Sequence, residues 1–363
     1  MSLQTSKQSF SKRALASLIG PDGYDFWARE FGTTAAWQRC FARVLCVERN
    51  GCNSLSIHLR PNKNFAGFQA GQHINVTAEI EGRRLTRSYS LSNTANSAMN
   101  LEITVRHDPQ GKMSGHLHTA IKVGSVLEIS QAFGGMSLPS GPECENPALL
   151  LAAGSGISPL MGLLRQRCET KTCPPTTLLY WDYDDAHFCF KDELNQLCAN
   201  NPQLHVHRLT TRSAAQADGR ISEEQIKQLH GDCRDTMVYA CGGSDFVEAA
   251  RALLSTQARD FTAEAFTPPA TTANSEVQQQ IAIQLNRSGR TITVSNQESL
   301  LDALEAQGIA VESGCRMGIC NTCSCQKLQG STTNQFSGEQ NNATNSSIRL
   351  CISRANGPLQ LDL

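Results

Sequence analysis

Hydrophobic and polar positions change their period several times along the chain. Arg13 to Ile19 and Tyr24 to Phe31 repeat at a helical interval and, with Phe26, Trp27 and Trp37 as apolar anchors, predict a helical segment packed on the neighbouring domain. From about residue 39 the period shortens to the alternation of half-buried antiparallel strands, as in Ile74-Asn75-Val76 after Gly67-Phe68-Gln69-Ala70-Gly71-Gln72-His73. Past Ser140-Gly141-Pro142, Ala148 to Ala153 is an unbroken apolar run of strand length, the pattern of a parallel strand covered on both faces. It enters Gly154-Ser155-Gly156-Ile157-Ser158-Pro159, and a helix is expected from Leu160. Two strand–helix units come next, Thr177 to Trp181 with Lys191 to Cys198, and Leu204 to Thr210 with Ser222 to Leu229; then comes the strand Met237 to Ala240. Pro268 to Ser275 carries no apolar period and predicts a linker. Beyond it, Ile281, Ile283 and Leu285 alternate into a hairpin with Thr291 to Val294, and Ser299 to Gln307 places Leu300, Leu301 and Leu304 on one helical face that Gly308 stops. The Asn/Ser/Thr-rich stretch Ser331 to Ser347 is expected to be a surface loop.

The fold class implied is multidomain: an N-terminal helical segment (1–38), an antiparallel β-barrel (39–142), an α/β parallel-sheet domain (143–267), a linker (268–278) and a β-grasp domain (279–363). A length of 363 residues supports that division. Lys and Arg total 32 against 33 Asp and Glu, so no overall basic field points to nucleic acid. The longest apolar candidate, Ala148 to Leu164, is broken by Gly154, Gly156, Pro159 and Gly162, and direct membrane insertion is not expected. The N-terminus lacks a secretory pattern, and a cytoplasmic location is expected. In a reducing compartment, clustered cysteines point to metal rather than to disulfides.

Of the fifteen cysteines most share no spacing, and Cys168 and Cys173 among them read as ordinary small apolar residues or inert thiols. One group is ordered: Cys315-Arg-Met-Gly-Ile-Cys320-Asn-Thr-Cys323, then Cys351 after 27 intervening residues. Four thiolates at this spacing suit the two tetrahedral irons of a [2Fe–2S] cluster, with Gly314 and Gly318 letting the loop wrap closely. A structural zinc or a redox disulfide is the alternative, and Cys325 reads as a spare thiol beside the ligands. The C-terminal region resembles plant-type ferredoxins.

Arg87-Ser88-Tyr89-Ser90-Leu91-Ser92 offers a cation, a planar ring and a hydroxyl on one strand, the set a flavin needs for its phosphates, its ring face and its N5. The stretch resembles the flavin signature of the ferredoxin–NADP reductase superfamily. Gly111-Lys112-Met113-Ser114 resembles that family's pyrophosphate loop, which implies FAD; FMN is the alternative, and Phe133 to Met136 is expected to close the barrel. Gly154-Ser155-Gly156 resembles the family's nucleotide-phosphate turn, and Cys241-Gly242-Gly243 its Cys-Gly-Pro motif, with Gly243 in place of proline. The resemblance implies that Ser90 and Cys241 position the reacting groups, Cys241 without acting as a nucleophile. Arg212 falls where related enzymes hold a 2′-phosphate and favours NADPH, whereas Asp182, Asp184 and Asp185 would oppose it if they faced inward, so NADPH and NADH both stand. His73 and the other histidines lack the company of a catalytic metal site and read as surface or cofactor-lining residues.

Together these motifs resemble class-I oxygenase and desaturase reductases with a fused ferredoxin domain, bacterial fatty-acyl desaturase reductases in particular. The resemblance implies an NAD(P)H-dependent oxidoreductase that passes electrons through FAD and a [2Fe–2S] cluster to a separate oxygenase or desaturase, membrane-bound partners included. Aromatic-ring or phenylacetyl-CoA-type oxygenase systems are rival destinations, and a redox-sensing module without turnover is a rival class.

Overall fold

The computed structural model describes residues 10–95, 100–170, 173–212, 219–267 and 278–363, with side chains from Gly20 onward. The expected linker lies outside the described residues, Gln278 apart. At the N-terminus one helical stretch, α1 (Phe10–Glu30), bends where Gly20 takes φ 73° and Pro21 comes next; glycine enters the left-handed region without a Cβ clash. Phe26 and Trp27 do not anchor it as expected, being 48% and 50% exposed. The anchor is Asp25, whose buried carboxylate accepts the backbone N–H groups of Trp37, Gln38 and Arg39, while Trp37 meets Tyr24 edge-on.

Six strands come after it: β1 (Cys40–Arg49), β2 (Ser54–Pro61), β3 (His73–Ile80), β4 (Arg83–Ser90), β5 (Leu101–Arg106) and β6 (Val126–Ile129). They form an antiparallel sheet in the order β4-β3-β6-β1-β2-β5. A bridge from Leu91, just past β4, to Ile103 of β5 joins the two edges and closes the barrel. Phe133, expected to make that closure, instead pairs with His73 and lengthens one edge of β3. Inward positions Leu59, Ile74, Val76, Leu91 and Ile103 form the core. A short helix, α2 (Lys112–Thr119), packs against β3, β4 and β5 and buries Met113 and Leu117.

The second unit is a parallel sheet in the order β11-β10-β7-β8-β9, from β7 (Ala148–Ala153), β8 (Thr176–Asp182), β9 (Leu204–Thr210), β10 (Met237–Gly242) and β11 (Asp260–Ala265). Helices α3 (Ile157–Cys168), α4 (Lys191–Asn200), α5 (Glu223–Leu229) and α6 (Ser244–Leu254) accompany it, and separate apolar clusters cover the two faces. The hydrophobic pattern does not predict α6 and β11. The barrel is clamped to this unit by Arg165 of α3, which donates to Ser92 O and pairs with Glu102 of β5 at 2.7 Å and Glu193 of α4 at 2.6 Å. A partly buried guanidinium shared by two carboxylates and a carbonyl has its desolvation offset by good geometry.

The C-terminal unit contains β12 (Gln280–Leu285), β13 (Thr291–Ser295), α7 (Leu300–Ala306), β14 (Ser324–Gln329), β15 (Thr332–Asn334), β16 (Gln340–Asn341), β17 (Ser346–Arg349), β18 (Ser353–Ala355) and β19 (Leu359–Leu361). The main sheet runs β13-β12-β19-β14-β17 and a small one β16-β15-β18. Ser299 caps α7 by accepting the N–H of Asp302, Leu300, Leu301 and Leu304 are buried, and Gly308 ends the turn at φ 72°. The stretch 331–347 is not all surface loop: it contains β15 and β16, and Thr332 is buried. Among the described residues no helix is long and apolar enough to cross a membrane.

Candidate active site

The three units meet at one cleft of about 210 Å³. The barrel contributes His73, Ser88, Tyr89, Ser90, Thr104 and Arg106; the parallel-sheet unit contributes Ser155, Ser158 and Phe266; the cysteine loop contributes Cys315, Met317 and Ile319. Topology explains the meeting. The motif strand β4 ends at the cleft, the carboxyl ends of the parallel strands face it as in open α/β sheets generally, and the cysteine loop leaves α7 toward it.

Ser88, Tyr89 and Ser90, the residues expected to hold a flavin ring, all line the cleft. Burial pushes the Tyr89 phenol up, so it stays neutral. Arg87 donates to Thr86 O and is held below its ordinary pKa first by burial and then by the charge of Arg316. A guanidinium in that setting fits an anion, and α2 packs on the same strand. There Gly111 leaves no room for a side chain, since a Cβ would meet Ser114 Oγ at 2.6 Å. Ser114 itself is committed: its hydroxyl accepts the N–H of Asp108 and lies 3.0 Å from Gly111 O, so what this turn offers a diphosphate is backbone N–H. Lys112 pairs with Glu81 at the surface and Met113 is in the core, so neither side chain points to a phosphate.

A second cleft of about 550 Å³ opens beside the first, lined by Gly154, Ser155, Trp181, Tyr183, Thr211, Arg220, Gly243, Phe246 and Thr267 among others. Gly154 has φ 56° and an added Cβ would sit 2.6 Å from Arg106 Nη1; at Gly156 it would sit 2.0 Å from Cys241 O. These glycines let the turn run close to Arg106 and let α3 press on β10. Gly242 is similarly tight against Ala153 and Phe246. The three aspartates that would oppose a 2′-phosphate are all engaged: Asp182 with Arg106, Asp184 with His187 and Ala186 N, and Asp185 with Lys191. Arg212 lies over the Tyr183 ring at 4.2 Å. Cys241 is fully buried with Sγ 3.3 Å from Met136 Sδ, lines neither cleft, and has its thiol pushed up by burial. It is packing at the back of the site.

The four cysteines resolve into two pairs. Cys315 Sγ accepts the N–H groups of Met317, Ile319 and Cys320, each at 3.3 Å, and Cys320 Sγ accepts that of Cys315. Cys323 and Cys351 make the second pair, each thiol shifted first of all by the other. Arg316, Gly318 and Asn321 have positive φ, which turns successive N–H groups toward the sulfurs, and a Cβ on Gly318 would strike Ile352 at 2.5 Å. Among the described residues no three ligands gather about one point as a lone zinc requires; two thiol pairs fit two irons. Cys325 shares the apolar core of the unit with Cys323 and Cys351, but its thiol donates to Gln326 O at 3.5 Å.

Two features have no local sequence signature. Ser88 donates to Asn75 Oδ1, and Asn75 Nδ2 donates to Thr322 Oγ1 at 3.3 Å, so the barrel and the cysteine loop share a polar bridge. A Cβ on Gly314 would lie 2.8 Å from Asn75 Nδ2 and 2.9 Å from Cys320 Sγ, so the amide abuts the ligand loop. The other feature is His73, whose Nε2 is 2.6 Å from Glu264 Oε2 of β11 although the pair is not aligned as a regular hydrogen bond. Burial pulls the His73 imidazole down to about 4 and pushes the Glu264 carboxyl up to about 7.

That pair makes a pH prediction. Between pH 4.5 and 7 the folded chain keeps a proton on Glu264 that the unfolded chain has lost, so its contribution to stability falls as pH rises; His73 acts oppositely between 4 and 6.5. Glu264→Gln is expected to gain stability relative to the parent from pH 5 to pH 8, by up to about 3 kcal/mol. Urea unfolding at both pH values checks it, and an unchanged difference contradicts it.

Residues 50–137 match the model of the oxidoreductase FAD-binding domain, 150–252 that of the oxidoreductase NAD-binding domain, and 283–356 that of the 2Fe-2S iron-sulfur cluster binding domain. The heme-dependent oxidative N-demethylase beta subunit of Ectopseudomonas mendocina is 31% identical over 307 residues, covering 82% of this chain and 90% of the relative. The chain belongs to the ferredoxin–NADP reductase superfamily. It is an oxidoreductase of the class that joins flavin, nicotinamide and [2Fe–2S] domains in one chain. This reductase is also 29% identical over 335 residues to an NADPH oxidoreductase of Mycobacterium tuberculosis, covering 88% of this chain and 83% of that one. In fold it is similar to phthalate dioxygenase reductase, with a TM-score of 0.61 and 22% identity over 89% of this chain and 97% of the other.

Proposed function

We propose that this reductase takes electrons from NADPH and delivers them one at a time to a separate terminal oxygenase. The observation that carries the proposal is the single cleft lined at once by the flavin-motif strand, the nucleotide unit and a cluster ligand, Cys315. When bound, the flavin supplies the conversion of a two-electron donor into one-electron steps. The chain's residues hold the participants. Ser88, Tyr89 and Ser90 would bound the flavin ring, Arg87 and the backbone at Gly111 its phosphates, the Gly154–Gly156 turn the nicotinamide nucleotide, and Cys315, Cys320, Cys323 and Cys351 the cluster. A separate partner is supported by the beta-subunit name of the N-demethylase relative.

NADPH is favoured over NADH because Asp182 and Asp185 are each paired with a cation and Asp184 is engaged by His187, while Arg220 lines the second cleft and Arg212 stacks on Tyr183 of its lining. Arg212→Ala is expected to raise KM for NADPH about tenfold and leave that for NADH unchanged; steady-state kinetics with an artificial acceptor checks this, and equal losses for both nucleotides contradict it.

A membrane-bound fatty-acyl desaturase is the second candidate partner, on the strength of the N-terminal helix and the Arg84-Leu85-Thr86-Arg87-Ser88-Tyr89-Ser90 run. Reconstitution separates the two. Product formation that requires both this reductase and a purified oxygenase supports the first, product only with a desaturase the second, and consumption of NADPH with neither acceptor reduced overturns both.

A further inference from the structure

Arg167, in the last turn of α3, is 1% exposed. Its guanidinium donates to Thr176 Oγ1 and to the carbonyls of Cys144, Asn146 and Pro175, all neutral groups. Among the described residues the charges that bear on it come from cysteine and tyrosine side chains, Cys173 first. A buried cation without a counter-charge costs several kcal/mol, and the anion within reach is a thiolate. Cys173 is buried there with its Sγ 3.6 Å from Cys168 Sγ. The hydrogen bond the two thiols share, in which either can donate, the Thr176 hydroxyl and Arg167 together outweigh burial and lower Cys173, while Cys168 is pushed up. Neither thiol belongs to the reaction site, which lies at the opposite end of α3.

We propose that Cys168 and Cys173 form a redox-active dithiol that a hydroperoxide closes to a disulfide. The Cys173 thiolate attacks one oxygen of hydrogen peroxide, the O–O bond breaks, and hydroxide leaves to take up a proton as water; Cys173 is then a sulfenic acid. The Cys168 sulfur attacks it, the S–S bond forms, the S–O bond breaks, and a second water leaves carrying the Cys168 proton. Two thiols and one peroxide give one disulfide and two waters, with two electrons passing from sulfur to oxygen. The sulfurs need to close from 3.6 Å to about 2.05 Å. A small thiol in excess reverses the reaction by exchange.

The test uses the full-length holoprotein and graded hydrogen peroxide, with alkylation and tryptic peptide mass spectrometry afterwards. Trypsin cuts after Arg167 and Lys171, so a disulfide joins two peptides that are otherwise separate. The expected result is the joined pair, lost on adding dithiothreitol, at doses that leave the exposed Cys52 free to alkylate and the visible absorbance of the cluster unchanged. Cys168→Ser should abolish the pair and leave Cys173 as a sulfenic acid trapped by dimedone. Oxidation of Cys52 while Cys168 and Cys173 are still alkylated separately would overturn the proposal, as would a Cys168→Ser protein that shows no dimedone adduct at Cys173.

Discussion

Replacing Asn75 by leucine is expected to leave NADPH reduction of the flavin at its parent rate and to slow the subsequent reduction of the cluster by roughly 10²-fold. Asn75 is buried, and its amide is the link between Ser88 of the flavin strand and Thr322 of the ligand loop. Leucine fills similar space but removes both hydrogen bonds, takes from the partly buried Ser88 and Thr322 hydroxyls the amide they share, and loosens the seating of the loop. A misplacement of about 1 Å at a reacting geometry costs about two orders of magnitude, which sets the expected size. The nucleotide side of the cleft does not use Asn75, so the first step is spared. Stopped-flow absorbance at flavin and cluster wavelengths separates the steps. Thr322→Val should give the same split, and the double variant should be no slower than either single one, because both remove one bridge. Equal slowing of both steps would show that Asn75 acts through general stability.

Gly156→Ala is expected to have the other large effect. Its added Cβ would lie 2.0 Å from the carbonyl oxygen and 2.4 Å from the carbonyl carbon of Cys241. Both atoms belong to β10 inside the parallel sheet, held by β7 on one side and β11 on the other, so no flexible side chain can yield. Either α3 or β10 must move, at a cost of about 1–3 kcal/mol. The turn from Gly154 to Gly156 moves with them. The variant should keep its flavin and cluster absorbance but lose NADPH-dependent flavin reduction by roughly 10²-fold, while reduction by dithionite is unaffected. Parent-like KM and kcat for NADPH would refute the assignment of this turn to the nucleotide.

What the sequence makes legible is what short-range physics enforces. The four ligands can be read because three of them must lie on one tight loop around a cluster, and the apolar run at Ala148–Ala153 because a strand covered on both faces has no polar side to show. Helix α7 announces itself through Ser299, three leucines and Gly308. Strand β11 escapes notice because its Asp260-Phe261-Thr262-Ala263-Glu264-Ala265 is half polar, as an edge strand can be, and with it go Glu264 and Phe266. The Asn75–Thr322 bridge spans 247 positions and leaves no periodic trace. Phe26 and Trp27 mislead in the opposite direction: large aromatics predict burial, but a buried carboxylate, Asp25, holds the N-terminal helix instead. Lys112 and Ser114 sit in the expected turn, yet their side chains are spent on Glu81 and Asp108, which a motif cannot foretell.

The central claim is that electrons entering at the nucleotide cleft reach the cysteine pairs within this one chain. An anaerobic titration of the purified holoprotein with NADPH, and separately with NADH, monitoring the visible absorbance of flavin and cluster together, tests it most directly. Bleaching of both chromophores, reached at lower concentration with NADPH, is the predicted result. Bleaching of the flavin alone, with the cluster left oxidised at excess nucleotide, would contradict it.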